Sequence, residues 1–424
     1  MLKKTVLILS LPFVMQAMSI TTLLNTLKHR PENKLDRLTI EQSSLGEQAL
    51  SDKLMPTVDL SVGYEIYNSP NGMLPVEPNK LITMVKDQTI GQPFSKQIMR
   101  EGVSFTWPLF VKSIYTLKEK ARLLHLASKE KHKLNLIQRE AVVVGSVAQL
   151  HYLEALRDAL EAKKRSILQT SQTSKLMVKE GRVAPSVLYV LNSHINDIDI
   201  SLNTIEQNMN LLYAKIETLT GVSLKKSIPL HMKYRVRKGE IFALKPLKTR
   251  VKASKKGIKA TDEAYFPSIV TKGNYSYSQA DAYNNGKPVR EHFGMAGVYL
   301  SMPLFDHSKS TASQMARIEY MKEKTRLEQT RHALKVEAKQ IEKELVLLQK
   351  SLKFAQKSVG EQKKLLKIAK VALKDEQMTE EEYLRYENAL ANAKANYYSF
   401  EAKMWQDRAQ LAVIYGNDLR RIVK

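Results

Sequence analysis

Between residues 188 and 219 the apolar positions Leu188, Leu191, Ile195, Ile198, Leu202, Ile205, Met209, Leu212, Ile216 and Leu219 alternate steps of three and four. That spacing is the seam of a left-handed coiled coil, a helix that buries one stripe against a partner. The seam returns further along as Tyr383, Tyr386, Leu390, Ala393, Tyr397, Phe400, Met404, Asp407, Leu411 and Ile414, at a constant displacement of 195 positions (188 to 383, 219 to 414). Two further anchors keep the same offset: Trp107-Pro108-Leu109-Phe110 reappears as Met302-Pro303-Leu304-Phe305, and Gly221 as Gly416. The chain reads as a tandem duplication of a long-helix unit, too long for the solenoid periods of roughly 20–50 residues.

Upstream of each coiled-coil stretch the period changes from 3.5 to 2. After a helical lead-in, Leu23 to Leu54, broken at Leu27-Lys28-His29-Arg30-Pro31-Glu32, Met55-Pro56 opens a strand. There Val58, Leu60, Val62, Tyr64 and Ile66 alternate with Thr57, Asp59, Ser61, Gly63 and Glu65. Residues 68–100 carry the prolines and glycines of a long surface loop, and Val103, Phe105 and Trp107 mark a returning strand. In the second half Phe266-Pro267 opens the strand Ser268 to Ser278, a loop passes through Asn284-Asn285-Gly286, and Gly294 to Met302 returns. Met295 and Tyr299 compete with Val298 and Leu300 for the apolar face; the repeat decides for the latter, mapping Val103, Phe105 and Trp107 onto Val298, Leu300 and Met302. Each strand is about ten residues, the length a tilted membrane strand needs. Val58, Leu60, Val62, Val103, Phe105, Trp107, Val298 and Leu300 are therefore expected to face lipid.

Each hairpin leads into a helix without internal proline, Val111 to about Glu180 and His307 to about Asp375. At 1.5 Å per residue each spans roughly 100 Å. The second has a seam from Leu334 through Ala338, Ile341, Leu345 and Leu348 to Leu373 with Gln362 its only polar member, whereas the first is interrupted at Arg139, Arg157 and Lys164. Two turns close these helices: Gly181, Arg182, Val183, Ala184, Pro185 and Ser186 in the first copy, and Glu376, Gln377, Met378 and Thr379 ahead of Glu381 in the second. Gly181 suits a left-handed helix stop and Pro185 the first turn of the returning helix; the second turn has no glycine. Thr379 and Glu382 have the spacing of a capping box.

The domain plan is a signal peptide over 1–19, a first repeat over 20–221 (hairpin 56–107, helix pair 111–221) and an inter-repeat segment over 222–265. A second repeat covers 266–416 (hairpin 267–302, helix pair 306–416), followed by a tail over 417–424. Met1-Leu2-Lys3-Lys4, the apolar run Thr5 to Met15 and Ala17-Met18-Ser19 have the layout of an export signal cut after Ala17 or Ser19. No later segment approaches a spanning helix, so membrane insertion must use strands.

The chain has no cysteine, which excludes disulfides and thiolate metal sites. No phosphate-cradling loop, HExxH or nucleophile elbow occurs, and the nine histidines are scattered, His125 and His132 being a helix-face pair without acids at ligand spacing. No enzyme, cofactor or metal site is expected. Much of the net charge of +24 lies between Lys225 and Lys259, where Glu240 is the lone acid. A solvated linker and contact with an anionic periplasmic surface both fit. Nucleic acid does not, because the export signal removes the chain from it and only Tyr234 and Phe242 interleave.

The order of signal, helix, Pro-led strand, loop, strand ending in Pro-Leu-Phe, very long helix, turn and return helix ending in Gly, all repeated, resembles the TolC family of outer-membrane efflux proteins. The best local matches are Leu300-Ser301-Met302-Pro303-Leu304-Phe305-Asp306 and Glu180-Gly181-Arg182-Val183-Ala184-Pro185-Ser186-Val187-Leu188. The resemblance implies a fold of mixed class, a transmembrane β-barrel continued by a long α-helical coiled-coil barrel and closed by trimerisation, with the basic segment at its equator. It implies a Gram-negative outer-membrane duct with a large periplasmic part, a homotrimer in outer-membrane lipid. The duct would be docked by a periplasmic membrane fusion (adaptor) protein through the two helical turns and served indirectly by an inner-membrane transporter. By position, Glu382 falls where family members often carry a gate aspartate and Arg385 on the next such place, so Glu381, Glu382 and Arg385 are gate candidates. Independently of the resemblance, four strands cannot close a barrel, and an open edge in lipid leaves backbone groups unsatisfied, so chains must combine. The alternative is a periplasmic coiled-coil scaffold or adaptor that is not a channel.

Overall fold

The computed structural model describes residues 19–424, and the expected export signal lies outside them except for Ser19. The chain forms two compact units. One takes the residues through Leu38 with Lys129–Lys245 and Glu328–Lys424; the other takes Thr39–Ser128 and Pro246–Leu327. In order, the first half contains α1 (Ile20–Thr26), α2 (Pro31–Asp52), β1 (Thr57–Gly72), α3 (Pro78–Lys86), β2 (Phe94–Val111), α4 (Lys112–Lys179) and α5 (Ser186–Thr220). The rest contains α6 (Lys245–Asp262), β3 (Ser268–Asp281), β4 (Pro288–Ser301), α7 (His307–Lys374), α8 (Glu380–Tyr415) and α9 (Leu419–Ile422). The long helices α4 and α7 are each 68 residues and start at the repeat spacing.

The helical unit is built on the seams. Ile198, Ile205, Met209 and Ile216 of α5 are buried, as are Leu390, Ala393, Met404, Leu411 and Ile414 of α8. Its main core gathers Leu23, Leu24 and Leu27, the middle of α4 at Val143, Val147 and Leu150, and Leu419 and Ile422 of α9. Burying each such side chain contributes about 1.5–3 kcal/mol. The cations that interrupt the α4 seam are matched by acids: Arg139 meets Asp36 of α2, and Lys164 Nζ reaches Asp199 Oδ1 of α5 at 2.6 Å. Asp407, the polar member of the α8 seam, is 5% exposed, and Lys403 Nζ lies 3.1 Å from it.

The inter-repeat chain is a strap rather than a free linker. His231 and Lys424 exchange backbone hydrogen bonds of 3.0 and 2.8 Å, Lys233 N donates to Ile422 O at 2.7 Å, and Ser227 N donates to Glu154 Oε1 at 2.8 Å. Its basic second part forms α6, where the sequence pattern indicates only a linker. The tail is anchored by Glu140 of α4, a fully buried carboxylate that accepts from Leu419 N at 3.1 Å and lies 2.9 Å from Arg420 Nε.

In the other unit the four strands pair in the order β1-β2-β3-β4, all antiparallel. The hairpins are longer than the sequence pattern indicates, and the 68–100 loop shrinks accordingly. β1 runs on to Gly72 and β2 starts at Phe94, because Arg100 draws the chain together. Its Nη2 donates to Gly72 O at 2.8 Å, its Nη1 to Met73 O at 3.0 Å and its Nε to Glu65 Oε2 at 2.7 Å. What remains of the loop folds into α3 and is tied to the β3–β4 turn: Asn284 Oδ1 accepts from Gln92 N at 3.0 Å, and Lys287 Nζ donates to Thr89 O at 2.7 Å. β2 also continues past Pro108 to Val111, with a register shift between Pro108 and Phe110 where proline has no N–H to donate.

Candidate functional site

The sheet presents two chemically distinct faces. The pairs Val58 with Phe105, Leu60 with Val103, Val103 with Tyr275, Trp107 with Thr271, and Thr271 with Val298 put Val58, Leu60, Val62, Val103, Phe105, Trp107 and Val298 on one side; Leu300, two residues after Val298 in β4, joins them. All eight side chains singled out by the alternation thus share a face. They are not buried there: Leu60 is 76% exposed, Leu300 71% and Val298 68%. The other side carries Asp59, Ser61, Ser104, Asn274 and Ser276, with Met295 and Tyr299. Glu101, opposite Val62, is an acid on the same side; an open apolar patch of this extent marks a surface that meets a partner or a membrane. Neither β1 nor β4 has a partner along its outer edge among the described strands.

The two turns that end the long helices have the same backbone construction. After α4, Arg182 N donates to Met177 O at 2.9 Å and Gly181 takes φ 73°. After α7, Gln377 N donates to Ala372 O at 2.8 Å and Glu376 takes φ 56°. Both are the six-to-one closure of a helix stop, which needs a left-handed residue. Glu376 stands one repeat beyond Gly181 and accepts that conformation despite its Cβ. Gly181, Arg182, Ala184, Pro185, Ser186, Glu376, Gln377 and Thr379 are exposed, with Val183 and Met378 half-buried.

At the start of α8 the capping box forms as expected: Glu382 N donates to Thr379 Oγ1 at 3.2 Å, and Thr379 N donates to Glu382 Oε2 at 3.0 Å. These bonds to Thr379 hold the Glu382 carboxyl below the usual carboxylate range. The three gate candidates do not act as one group. Arg385 Nη2 pairs with Glu381 Oε1 at 2.8 Å, one full helical turn back, rather than with Glu382, which is engaged by the cap. The i,i+4 geometry with the acid nearer the N-terminus is the better one on a helix. Two cross-helix pairs escaped the sequence reading, Arg165 with Glu387 at 3.0 Å and Lys164 with Asp199. The signal for the second was present, a lysine at a seam position.

Among the described residues no group of three or more His, Cys, Asp and Glu side chains could hold a metal ion, and no helix is long and apolar enough to cross a membrane. His125 Nδ1 lies 3.1 Å from Ser43 Oγ, and His132 Nδ1 3.5 Å from Asp36 Oδ2, each serving its own unit. A cavity of about 290 Å³ beneath the strap is lined by His151, His231, Tyr397, Tyr398, Glu401 and Trp405; burial raises the Glu401 carboxyl there.

Residues 241–417 match the model of the outer membrane efflux protein family. That stretch resembles the outer membrane efflux protein family. The fold extends the likeness to solved outer-membrane channels over nearly the whole chain. It superposes on the outer membrane protein VceC of Vibrio cholerae with a TM-score of 0.71 at 12% identity, over 94% of this chain and 96% of that one. The CmeC outer membrane channel of Campylobacter jejuni gives 0.70 at 14% identity, over 94% and 85%. The open state of the MtrE outer membrane channel of Neisseria gonorrhoeae gives 0.67 at 15%, over 95% and 90%. Among curated proteins no sequence matches. Over nearly the whole chain the fold is therefore that of these outer-membrane channel structures.

Proposed function

We propose that the protein works as a homotrimer, the exit duct of a tripartite efflux or type I secretion system, receiving cargo from an inner-membrane pump through a periplasmic adaptor. The observation that carries this reading is the four-stranded sheet with one open apolar face and two unpaired edges. Strand direction alternates β1 to β4, so β4 of one copy meets β1 of the next in antiparallel pairing, and every edge is satisfied once the ring closes. Val58, Leu60, Val62, Val103, Phe105, Trp107, Val298 and Leu300 then face lipid and the polar side faces water. The turns at Gly181–Ser186 and Glu376–Thr379 form the tip that meets the adaptor, and Glu381, Glu382 and Arg385 stand beside it as gate elements. A scaffold without a barrel would leave the apolar face without a partner, and the likeness of residues 241–417 to outer membrane efflux proteins gives that alternative no support.

The test is electrical and chemical together. The detergent-extracted protein should migrate as a heat-modifiable oligomer and conduct in planar bilayers, and cysteines at Val183 and Met378 should crosslink to an adaptor hairpin in cells. A water-soluble monomer without conductance would end the duct reading. Efficient crosslinking from Leu345 on α7, with none from the turns, would move the docking site.

A further inference from the structure

Tyr397, Tyr398, Glu401, Ala402 and Trp405 follow the i, i+1, i+4, i+5, i+8 spacing that puts side chains on one face of α8. One repeat earlier the same places hold Leu202, Asn203, Glu206, Gln207 and Asn210, so the rings belong to the second copy alone. With Ala148 and His151 of α4 and Pro229, Leu230 and His231 of the strap, that face lines the cavity of about 290 Å³. Ala148 and Ala402 are each 2% exposed, methyl groups at places where larger side chains would have filled the space.

The lining combines ring faces with one acid. Tyr397 and Tyr398 meet edge to face with centroids 5.3 Å apart, Tyr398 stacks on His151 at 6.1 Å, and Arg408 Cζ lies 5.5 Å from the Trp405 ring centroid. His151 Nε2 donates to Ile228 O at 2.6 Å and so is spent on holding the strap. Glu401 is the only acid of the lining, and its carboxylate has neither hydrogen bond nor ion pair among the described residues. Burial raises it in spite of His151, His231 and Arg408, the condition of a charge drawn from water without a counter-ion. An anion in the cavity would face that carboxylate, and a hydrocarbon would leave it unpaired. A metal ion lacks its ligands, since no group of three His, Cys, Asp and Glu side chains among the described residues could hold one. An organic ammonium ion satisfies both parts of the lining, its charge at the carboxylate and its alkyl groups against the rings. The volume falls at the small end of the roughly 300–1,000 Å³ of ligand sites, which limits the ion to a small one.

We propose that this cavity binds a small organic ammonium ion, with Glu401 as its counter-ion and Tyr397, Tyr398 and Trp405 around its alkyl groups. Every wall comes from one copy of the chain, so the inference stands apart from the duct reading. The chain has two tryptophans, and Trp107→Phe leaves Trp405 as the sole fluorescent reporter of the cavity. The full-length protein carrying that change, in a maltoside detergent free of ammonium groups, is titrated with choline, with the uncharged tert-butyl analogue of choline, and with sodium chloride. Choline should change the Trp405 emission saturably, the analogue should bind roughly tenfold more weakly, and sodium chloride should give no saturable change. Glu401→Gln keeps the shape of the side chain and removes its charge, and should weaken choline binding roughly tenfold. Tyr398→Leu, away from the charge, should weaken it about threefold, and it keeps the proposal open to failure should Glu401→Gln not fold. No saturable change with choline, equal affinity for the uncharged analogue, or equal choline affinity in the parent and the folded variants overturns the proposal and leaves the cavity to water.

Discussion

Glu376 holds a backbone conformation that costs a residue with a Cβ about 1–2 kcal/mol, and it does so where the first copy uses Gly181. Glu376→Gly should therefore stabilise the protein by up to about 1 kcal/mol, and Gly181→Ala should destabilise it by a similar amount, as read from denaturant midpoints. A loss of stability in Glu376→Gly would mean that its side chain matters more than its φ. Glu140 belongs to the same scale. Burial, reinforced by the neighbouring Asp418, raises its carboxyl from 4.5 to about 7 despite Arg420. A carboxyl raised in the folded state stabilises fully below its unfolded pKa, and that contribution is lost as pH rises through the folded value. Stability should fall by up to about 3 kcal/mol between pH 4.5 and about 7, and Glu140→Gln should flatten that slope. Identical slopes in the two proteins would assign the pH dependence elsewhere.

At the scale of elements, the start of α8 divides its charges between two tasks. Glu382 closes the capping box, while Glu381 and Arg385 form an exposed i,i+4 pair outside it. Arg385→Ala should uncover Glu381, raise leak conductance and strengthen block by divalent cations; the effect should be partial, because an exposed pair contributes at most about 1 kcal/mol. Thr379→Ala should instead loosen the helix start by about 1 kcal/mol with little change in block. Single-channel recording distinguishes them, and unchanged conductance and block in Arg385→Ala would leave the pair as ordinary helix electrostatics. The coiled-coil seams were legible in the sequence because burial along a helix repeats every three to four residues. Helices α3 and α6 were not: Pro78–Lys86 sits among loop-forming residues, and the α6 pattern is small residues against lysines, which reads as a linker until a partner helix is present.

For the whole molecule, the decisive feature is the facing of the sheet. Val103→Lys places a charge on the apolar side and should cost roughly 2–4 kcal/mol of barrel stability, whereas Ser104→Lys points to the polar side and should be tolerated. Heat-modifiable oligomer yield from membranes reads the difference, and equal tolerance would reverse the facing. The two compact units cut across both repeats, since each long helix begins in one unit and ends in the other. Sequence self-similarity marks how the chain was written and contacts mark how it is packed; these need not coincide in a chain whose helices outrun any single core.

The sequence by itself determined what is periodic and local: the seams, the strand alternation, the Thr379–Glu382 box, the left-handed stop at Gly181 and the choice of Val298 and Leu300 over Met295 and Tyr299. All but the last follow from the geometry of one helix turn or one strand pleat, so a short window of residues carries them; the last needed the copy 195 positions earlier. The tertiary structure alone decided which distant polar groups meet: Lys164 with Asp199, Arg139 with Asp36, Glu140 with Arg420, and Arg100 with the carbonyls of Gly72 and Met73. A charge at an apolar position announces that a partner must exist, because burying it alone is costly. Its sequence spacing says nothing of where that partner stands, since packing and not chain distance brings the two together.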